Sequence, residues 1–159
     1  MTGCEGRGLS ESEYQSQVGR AIKTLTADLP TLFETDITYD IYTQDIYFQD
    51  PVNKFKGKTN YRIIFWTLRF HGHLFFTQLY FDLHEVHQEA KDTIVAKWTV
   101  RGILRVPWKA RVFFNGCSTY KLNPEGLIYN HIDTWDRKPS EILQQFFRKG
   151  ENKDLPPLN

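Results

Sequence analysis

The sequence predicts an α+β protein in which helices pack against a mostly antiparallel sheet. Three stretches, two early in the chain and one near its end, repeat their apolar residues every three or four positions, as amphipathic helices do. Between the second and third stretches, four long segments alternate apolar and polar residues, which is typical of strands with one buried face. A chain of 159 residues is long enough to bury the core that this arrangement needs.

The first two helices are expected in the N-terminal half. Ser12 and Gln15 match a capping box at the start of the first helix, and Pro30 ends or kinks it. The second helix is predicted over residues 59–70, with one apolar face. Gly72 is its expected stop signal, because glycine is common just after a helix.

The strands are predicted at residues 46–50, 78–88, 93–104, 110–122 and 126–136. Pro51 ends the short first strand, because proline cannot donate a hydrogen bond to a neighbouring strand. The sequence NPEG predicts a tight turn between the last two strands. A third amphipathic helix begins near Ser140, directly after Pro139.

The composition is that of a globular domain. One domain is expected over residues 12–148, between a disordered segment at 1–11 and a flexible tail at 149–159. The formal net charge is +1, from 20 basic and 19 acidic residues, which argues against nucleic acid or a membrane as the main partner. The two cysteines are far apart and match no zinc motif, so neither a metal nor a cofactor is expected.

Charged residues and histidines recur in the strand region. The basic ones are Lys97, Arg101, Arg105, Lys109 and Arg111. Because Asp82, Glu85 and Glu89 lie on the predicted neighbouring strand, cross-strand ion pairs are their expected role. His84 and His87 point to opposite faces of a strand, which argues against a metal site that they share.

Five short motifs occur in a fixed order: YFQDP at 47–51, FKG at 55–57, the strand segment 98–102, RVPW at 105–108 and GLIYNHIDTWD at 126–136. Together they resemble a domain family of unknown function from plants, algae and cyanobacteria, with animal relatives, in the nuclear transport factor 2-like or SnoaL-like superfamily. The resemblance covers residues 18–147. It implies a cone-shaped, cystatin-like fold whose curved sheet wraps around helices and leaves a cavity at the wide end. It also implies a soluble intracellular protein of the plastid or the mitochondrion.

The strand at 126–136 carries the strongest candidates for chemistry. His131 and Asp133 are two positions apart and share a face, so their side chains can form a hydrogen bond. The resemblance places them on the strand that supplies an acid–base residue in several SnoaL-like cyclases. A carboxyl group in apolar surroundings holds a proton more readily than in water, which suits a general base. The resemblance also places Asp50 at the pocket rim as a third catalytic candidate. Its alternative role is to cap the turn that follows.

The direction of that strand stays open at the level of sequence. Ile128 and Ile132 also form a credible inward face, in which case Asn130, Thr134 and Asp136 would be the polar groups of the pocket. A structural His–Asp pair and an exposed pair on the convex face of the sheet are further alternatives.

An apolar small molecule is the expected ligand of the cavity. The residues predicted to contact it are Trp98, Trp135, Tyr47, Phe65 and Tyr129. Tyr39, Tyr42 and Tyr47 are candidates to donate their hydroxyls to an oxyanion. The leading hypothesis is a binding module. The alternatives are an isomerase, cyclase or dehydratase that uses the Asp–His pair, and a scaffold that forms a homodimer through its sheet.

Overall fold

In the part of the chain that the structure describes, three α-helices pack against one six-stranded sheet, which confirms the α+β class. The computed structural model describes residues 8–105 and 109–148. In chain order the elements are α1 (Glu11–Asp28), a short 3-10 helix (Leu29–Thr31), β1 (Tyr42–Gln49), β2 (Lys54–Lys56), α2 (Lys58–Phe75), β3 (Phe76–Ala90), β4 (Thr93–Leu104), β5 (Arg111–Leu122), β6 (Ile128–Trp135) and α3 (Pro139–Phe147). The predicted tail at 149–159, most of the predicted N-terminal segment and residues 106–108 of RVPW lie outside the described residues.

The sheet has the strand order β2-β1-β6-β5-β4-β3. Only the β1–β6 pair is parallel among the described strands, so the sheet is mostly antiparallel as predicted. The register shifts at three places along β3 and β4, and such bulges bend and twist a sheet. Its inner face and the helices enclose a core that includes Val18, Leu25, Tyr61, Ile94, Tyr120 and Ile128. None of the helices described is long and apolar enough to cross a membrane.

The helix ends differ from the predicted ones in two places. The capping box of α1 is formed by Ser10 and Glu13 rather than by Ser12 and Gln15, and the helix begins at Glu11. The Glu13 N–H donates to the Ser10 hydroxyl over 3.2 Å, and the Ser10 N–H donates to the Glu13 carboxylate over 2.7 Å. Both pairs fit the capping pattern, and the helix begins at the Ser10 pair, so Ser12 and Gln15 lie inside the helix.

Gly72 does not stop α2, which continues to Phe75. The residue is buried inside the helix, and a Cβ at this position would lie 2.9 Å from the Leu79 side chain. Glycine is therefore used here for close packing of α2 on β3 rather than for its conformational freedom.

A bulge at the start of β6 resolves which way this strand faces. Opposite β5, Leu122 pairs with Ile128 but Lys121 pairs with Asn130, so Tyr129 is an extra residue. Ile128 and His131 are consequently both buried, although they are three positions apart, and Tyr129 is exposed. Uninterrupted alternation through this strand was the wrong expectation, because a bulge reverses the two faces.

Candidate functional site

A cavity of about 260 Å³ lies between the inner face of the sheet and helices α2 and α3. Its wall is mainly apolar, with aromatic rings from Phe48, Phe65, Phe81, Trp98, Phe114 and Trp135. The volume lies just below the range of about 300–1,000 Å³ that is typical of sites for drug-sized ligands. The cavity therefore suits a molecule of one or two rings.

Trp98 shapes one wall of this cavity because β5 carries no side chain opposite it. A Cβ at Gly116 would overlap the Trp98 ring, so the indole lies against the bare backbone there. In this position the Trp98 Nε1–H donates to the Ser118 hydroxyl over 2.9 Å. The sequence reasoning missed Gly116 and Ser118, although their alternation on one face of β5 was a signal that they point inward.

A chain of hydrogen bonds connects Ser118 to a buried tyrosine. The Ser118 hydroxyl donates to Asp133 Oδ1 over 2.5 Å, and His131 Nε2 lies 2.6 Å from the same oxygen. His131 Nδ1 lies 2.7 Å from the hydroxyl of Tyr61 on α2. No hydrogen bond from a described residue reaches Asp133 Oδ2, so this oxygen of a cavity-lining carboxylate stays available.

Tyr61 determines how the imidazole is oriented. Burial raises the pKa of Tyr61 well above its usual value, and burial also raises the pKa of its neighbour Tyr42. The Tyr61 hydroxyl therefore keeps its proton and can donate it to His131 Nδ1, in which case Nε2–H donates to Asp133. Because both ring nitrogens are engaged, His131 positions Asp133 and offers no free nitrogen to a ligand. The contact of Tyr61 with His131 was not predicted from the sequence.

The buried tyrosines predict a loss of stability at alkaline pH. The pKa values of Tyr42, Tyr61 and Tyr120 are raised by burial above the ordinary 10.0, so these groups ionise in the unfolded chain before they do so in the folded one. Their contribution is complete below pH 10 and is lost as the pH rises above it. We expect the free energy of unfolding to fall by up to about 1.4 kcal/mol per pH unit for each tyrosine.

Urea unfolding measured from pH 8 to pH 12 checks this expectation. Tyr61→Phe should make the decline shallower, whereas Tyr47→Phe, which changes a surface hydroxyl, should leave it unchanged. A stability that stays constant across this range would contradict the burial of these hydroxyls.

Asp50 lies in the cavity wall, but its carboxylate caps the turn that follows β1. Oδ1 accepts the Val52 N–H over 2.8 Å and the Asn53 N–H over 2.5 Å, and Oδ2 accepts the Asn53 side-chain amide over 3.1 Å. Both oxygens are engaged, which favours the structural role that was the alternative for this residue.

The structure brings together most of the predicted site residues. Phe65, Trp98 and Trp135 line the cavity with His131 and Asp133. Tyr47 and Tyr129 do not, because Tyr47 donates its hydroxyl to Gln49 outside the cavity and Tyr129 is exposed at the bulge.

The residues of the alternative face lie elsewhere. Asp136 accepts the Asn115 N–H and the Asn115 side-chain amide, each over 2.8 Å, and Thr134 is exposed. Of the other tyrosines considered for an oxyanion, Tyr39 donates its hydroxyl to Asp36 over 2.7 Å, and the Tyr42 ring packs against Tyr61.

The members of the basic cluster differ in the partners that they contact. Arg101 forms an ion pair with Asp82, and Lys97 Nζ lies 3.8 Å from Glu85, as cross-strand pairing predicts. Arg105 instead donates to the carbonyl oxygens of His73 and Phe76, each over 3.2 Å. Within the described part of the chain, no three His, Cys, Asp or Glu side chains are grouped so that they could hold a metal ion.

A family model with the description "Uncharacterized conserved protein (DUF2358)" matches residues 19–131, well over half of the chain. The chain belongs to this family. The match is shorter at its end than the resemblance to residue 147 suggested, since it includes His131 but stops before Asp133. No curated protein matches the sequence.

Solved structures with the same fold come from several bacteria. An NTF2-like protein from Anabaena variabilis superposes with a TM-score of 0.56 at 16% identity, over 84% of this chain and 97% of that chain. An NTF2-like protein of unknown function from Cytophaga hutchinsonii gives 0.54 at 12% identity, over 74% and 96%. TsrD from Streptomyces laurentii gives 0.54 at 16%, over 86% and 96%. At these identities the likeness concerns the fold, and the NTF2-like fold implied by the sequence motifs is confirmed.

Proposed function

We propose that this NTF2-like domain binds a small, mainly apolar molecule that carries one hydrogen-bond donor. The observation that carries the proposal is the Asp133 carboxylate in the wall of a mainly apolar cavity of about 260 Å³, whose Oδ2 accepts no hydrogen bond from a described residue. The aromatic wall would bury the body of the ligand. The carboxylate would accept its hydroxyl or amine, because a few placed polar groups usually set orientation in such sites.

The other polar groups of the inner wall support this assignment. Ser118 accepts from Trp98 and donates to Asp133, and both nitrogens of His131 are engaged. Each of these bonds holds the carboxylate in one orientation, so little freedom is lost when a ligand binds to it. A hydrogen bond to a charged acceptor contributes about 1.5–3 kcal/mol, which is enough to select donors from non-donors.

A matched pair of bicyclic arenes tests the proposal. We expect 2-naphthol to bind saturably and more tightly than 2-methoxynaphthalene, which has the same rings but no hydroxyl proton. The Trp98 and Trp135 indole resonances should shift in two-dimensional NMR titrations, since both side chains line the cavity. Val100→Phe adds volume to the wall and should weaken both ligands, with far-UV circular dichroism as the control for folding. If binding of the arenes does not saturate, or if the Val100→Phe variant binds them as tightly as the wild type, the cavity is not the binding site.

A second candidate function is proton transfer at carbon, as in isomerisation or cyclisation. The observation that favours it is the hydrogen-bond chain from Tyr61 through His131 to Asp133, which would hold the carboxylate as a general base in apolar surroundings. Deuterium exchange at the carbons next to the carbonyl of 2-tetralone distinguishes catalysis from simple binding, because exchange requires a base in contact with the ligand.

The cellular location is proposed on the family resemblance alone. We place the protein in the plastid or the mitochondrion. Imaging of the full chain with a fluorescent protein fused at its C-terminus, alongside markers for both organelles, tests this placement.

A further inference from the structure

Helix α2 is apolar on two opposite faces. One face packs into the core and the cavity through Tyr61, Phe65 and Gly72. The opposite face, called here the outer α2 face, consists of Ile63, Trp66, Phe70 and Leu74, spaced three or four positions apart. Trp66 is 57% exposed and Phe70 is 49% exposed, and their rings stack with centroids 5.2 Å apart. A helix with apolar residues on two opposite faces is normally covered on both of them.

The apolar surface continues to the mouth of the cavity. Leu68 is 40% exposed and also lines the cavity, so it lies at the opening. His71 lines the cavity too, and its ring stacks on the exposed Phe75 ring. On α3, next to the contact between Phe146 and Phe76, the side chains of Leu143 and Phe147 are exposed. An exposed apolar surface of this extent on a monomer usually marks a binding surface.

The charge of this region is positive. The sequence of α2 contains Lys58, Arg62 and Arg69 and no Asp or Glu, and Arg105 donates to the carbonyl oxygens at its C-terminal end. Asp36 pairs with Arg69 over 3.0 Å, and Glu34 lines the same surface groove as Arg105. No carboxylate of a described residue forms an ion pair with Lys58, Arg62 or Arg105, so the basic residues outnumber the acidic ones here. The prediction of no membrane partner used the near-zero net charge of the whole chain. The charges are unevenly distributed, and this region has a local excess of positive charge.

We propose that the outer α2 face docks onto the surface of an anionic lipid bilayer. Tryptophan, phenylalanine and leucine on one face of a helix with basic flanks are the composition of helices that lie in the membrane interface. A second copy of the chain fits less well, because a two-fold contact through this face brings two basic surfaces together. Docking would turn the mouth of the cavity towards the bilayer. An apolar ligand could then move between the cavity and the bilayer without crossing water. This role in ligand transfer rests on the proposed function.

Vesicle flotation with the full chain tests the docking. We expect the protein to float with phosphatidylcholine vesicles that contain phosphatidylglycerol, to float poorly with phosphatidylcholine alone, and to detach as salt is added. The double variant Trp66→Gln, Phe70→Gln keeps good helix formers at exposed positions and should bind at least about tenfold more weakly. Tyr129→Thr, which also removes an exposed aromatic ring but lies on β6, should float like the wild type.

Three results would overturn the proposal. They are absence of flotation with the anionic vesicles, equal flotation of the double variant, and a concentration-dependent dimer that the double variant abolishes. The last result would assign the outer α2 face to a second copy of the chain. The Val100→Phe variant separates this proposal from the cavity proposal. It should bind 2-naphthol more weakly and still float with the anionic vesicles.

Discussion

Asp133→Asn is expected to weaken the binding of 2-naphthol by roughly ten- to a hundredfold. The amide has nearly the shape of the carboxylate, and its oxygen can still accept from Ser118 and His131 at the position of Oδ1. The NH₂ group then takes the place of Oδ2 and turns a free acceptor into a donor, which repels the hydroxyl proton of the ligand.

Isothermal titration calorimetry measures this change, with 2-methoxynaphthalene as the matched ligand. Its affinity should change much less, because it has no proton to donate. If Asp133 acts as a base, the same variant should also slow deuterium exchange into 2-tetralone by about a hundredfold or more. Equal loss of affinity for both arenes would show that the variant damages the cavity rather than one hydrogen bond.

His131→Leu is expected to be the most destabilising of the polar substitutions in the site, at roughly 3 kcal/mol. The imidazole is 3% exposed and joins the Tyr61 hydroxyl to the Asp133 carboxylate. Leucine has a comparable volume but leaves a buried hydroxyl and a carboxylate oxygen each with one partner fewer. In a domain of this size the change should lower Tm by roughly 6 to 12 °C.

Urea unfolding followed by circular dichroism gives the free energy directly. The double variant Tyr61→Phe, His131→Leu should lose about 1 kcal/mol less free energy of unfolding than the two single variants lose together. The reason is that either single change already breaks the hydrogen bond that the two side chains share. His84→Leu is the matched control, since its ring is exposed and its partner Thr99 keeps a second hydrogen bond, to Asn115, so it should cost under about 1 kcal/mol. A full 3 kcal/mol loss in the control, or none in His131→Leu, would contradict the role assigned to the buried imidazole.

The secondary structure was largely predictable because it depends on neighbours along the chain. The spacing of apolar residues placed all three helices, and β4 spans Thr93–Leu104 as its alternation predicted. The errors were at ends and irregularities. Two possible capping boxes lie within a few residues of each other at the start of α1, and the wrong one was chosen. Gly72 was interpreted as a helix stop, but it lies inside the helix and packs against Leu79.

The candidate site was predictable in part. His131 and Asp133 were identified because their spacing on one strand lets them touch, and they do. Asp50 was identified as well, together with the turn-capping role that its carboxylate adopts. Tyr47 and Tyr129 were misplaced, since aromatic character alone does not indicate which face of a strand is inward.

What the sequence by itself determined was the α+β class, the family resemblance and the pairing of His131 with Asp133. The tertiary structure decided the rest: the bulge at Tyr129, the space over Gly116 that Trp98 occupies, and the contact of Tyr61 with His131 across 70 positions of the chain. Periodicity reports only which side of an element is apolar. Contacts between elements decide how a polar side chain is oriented and which face of α2 stays exposed. No local sequence pattern contains those contacts.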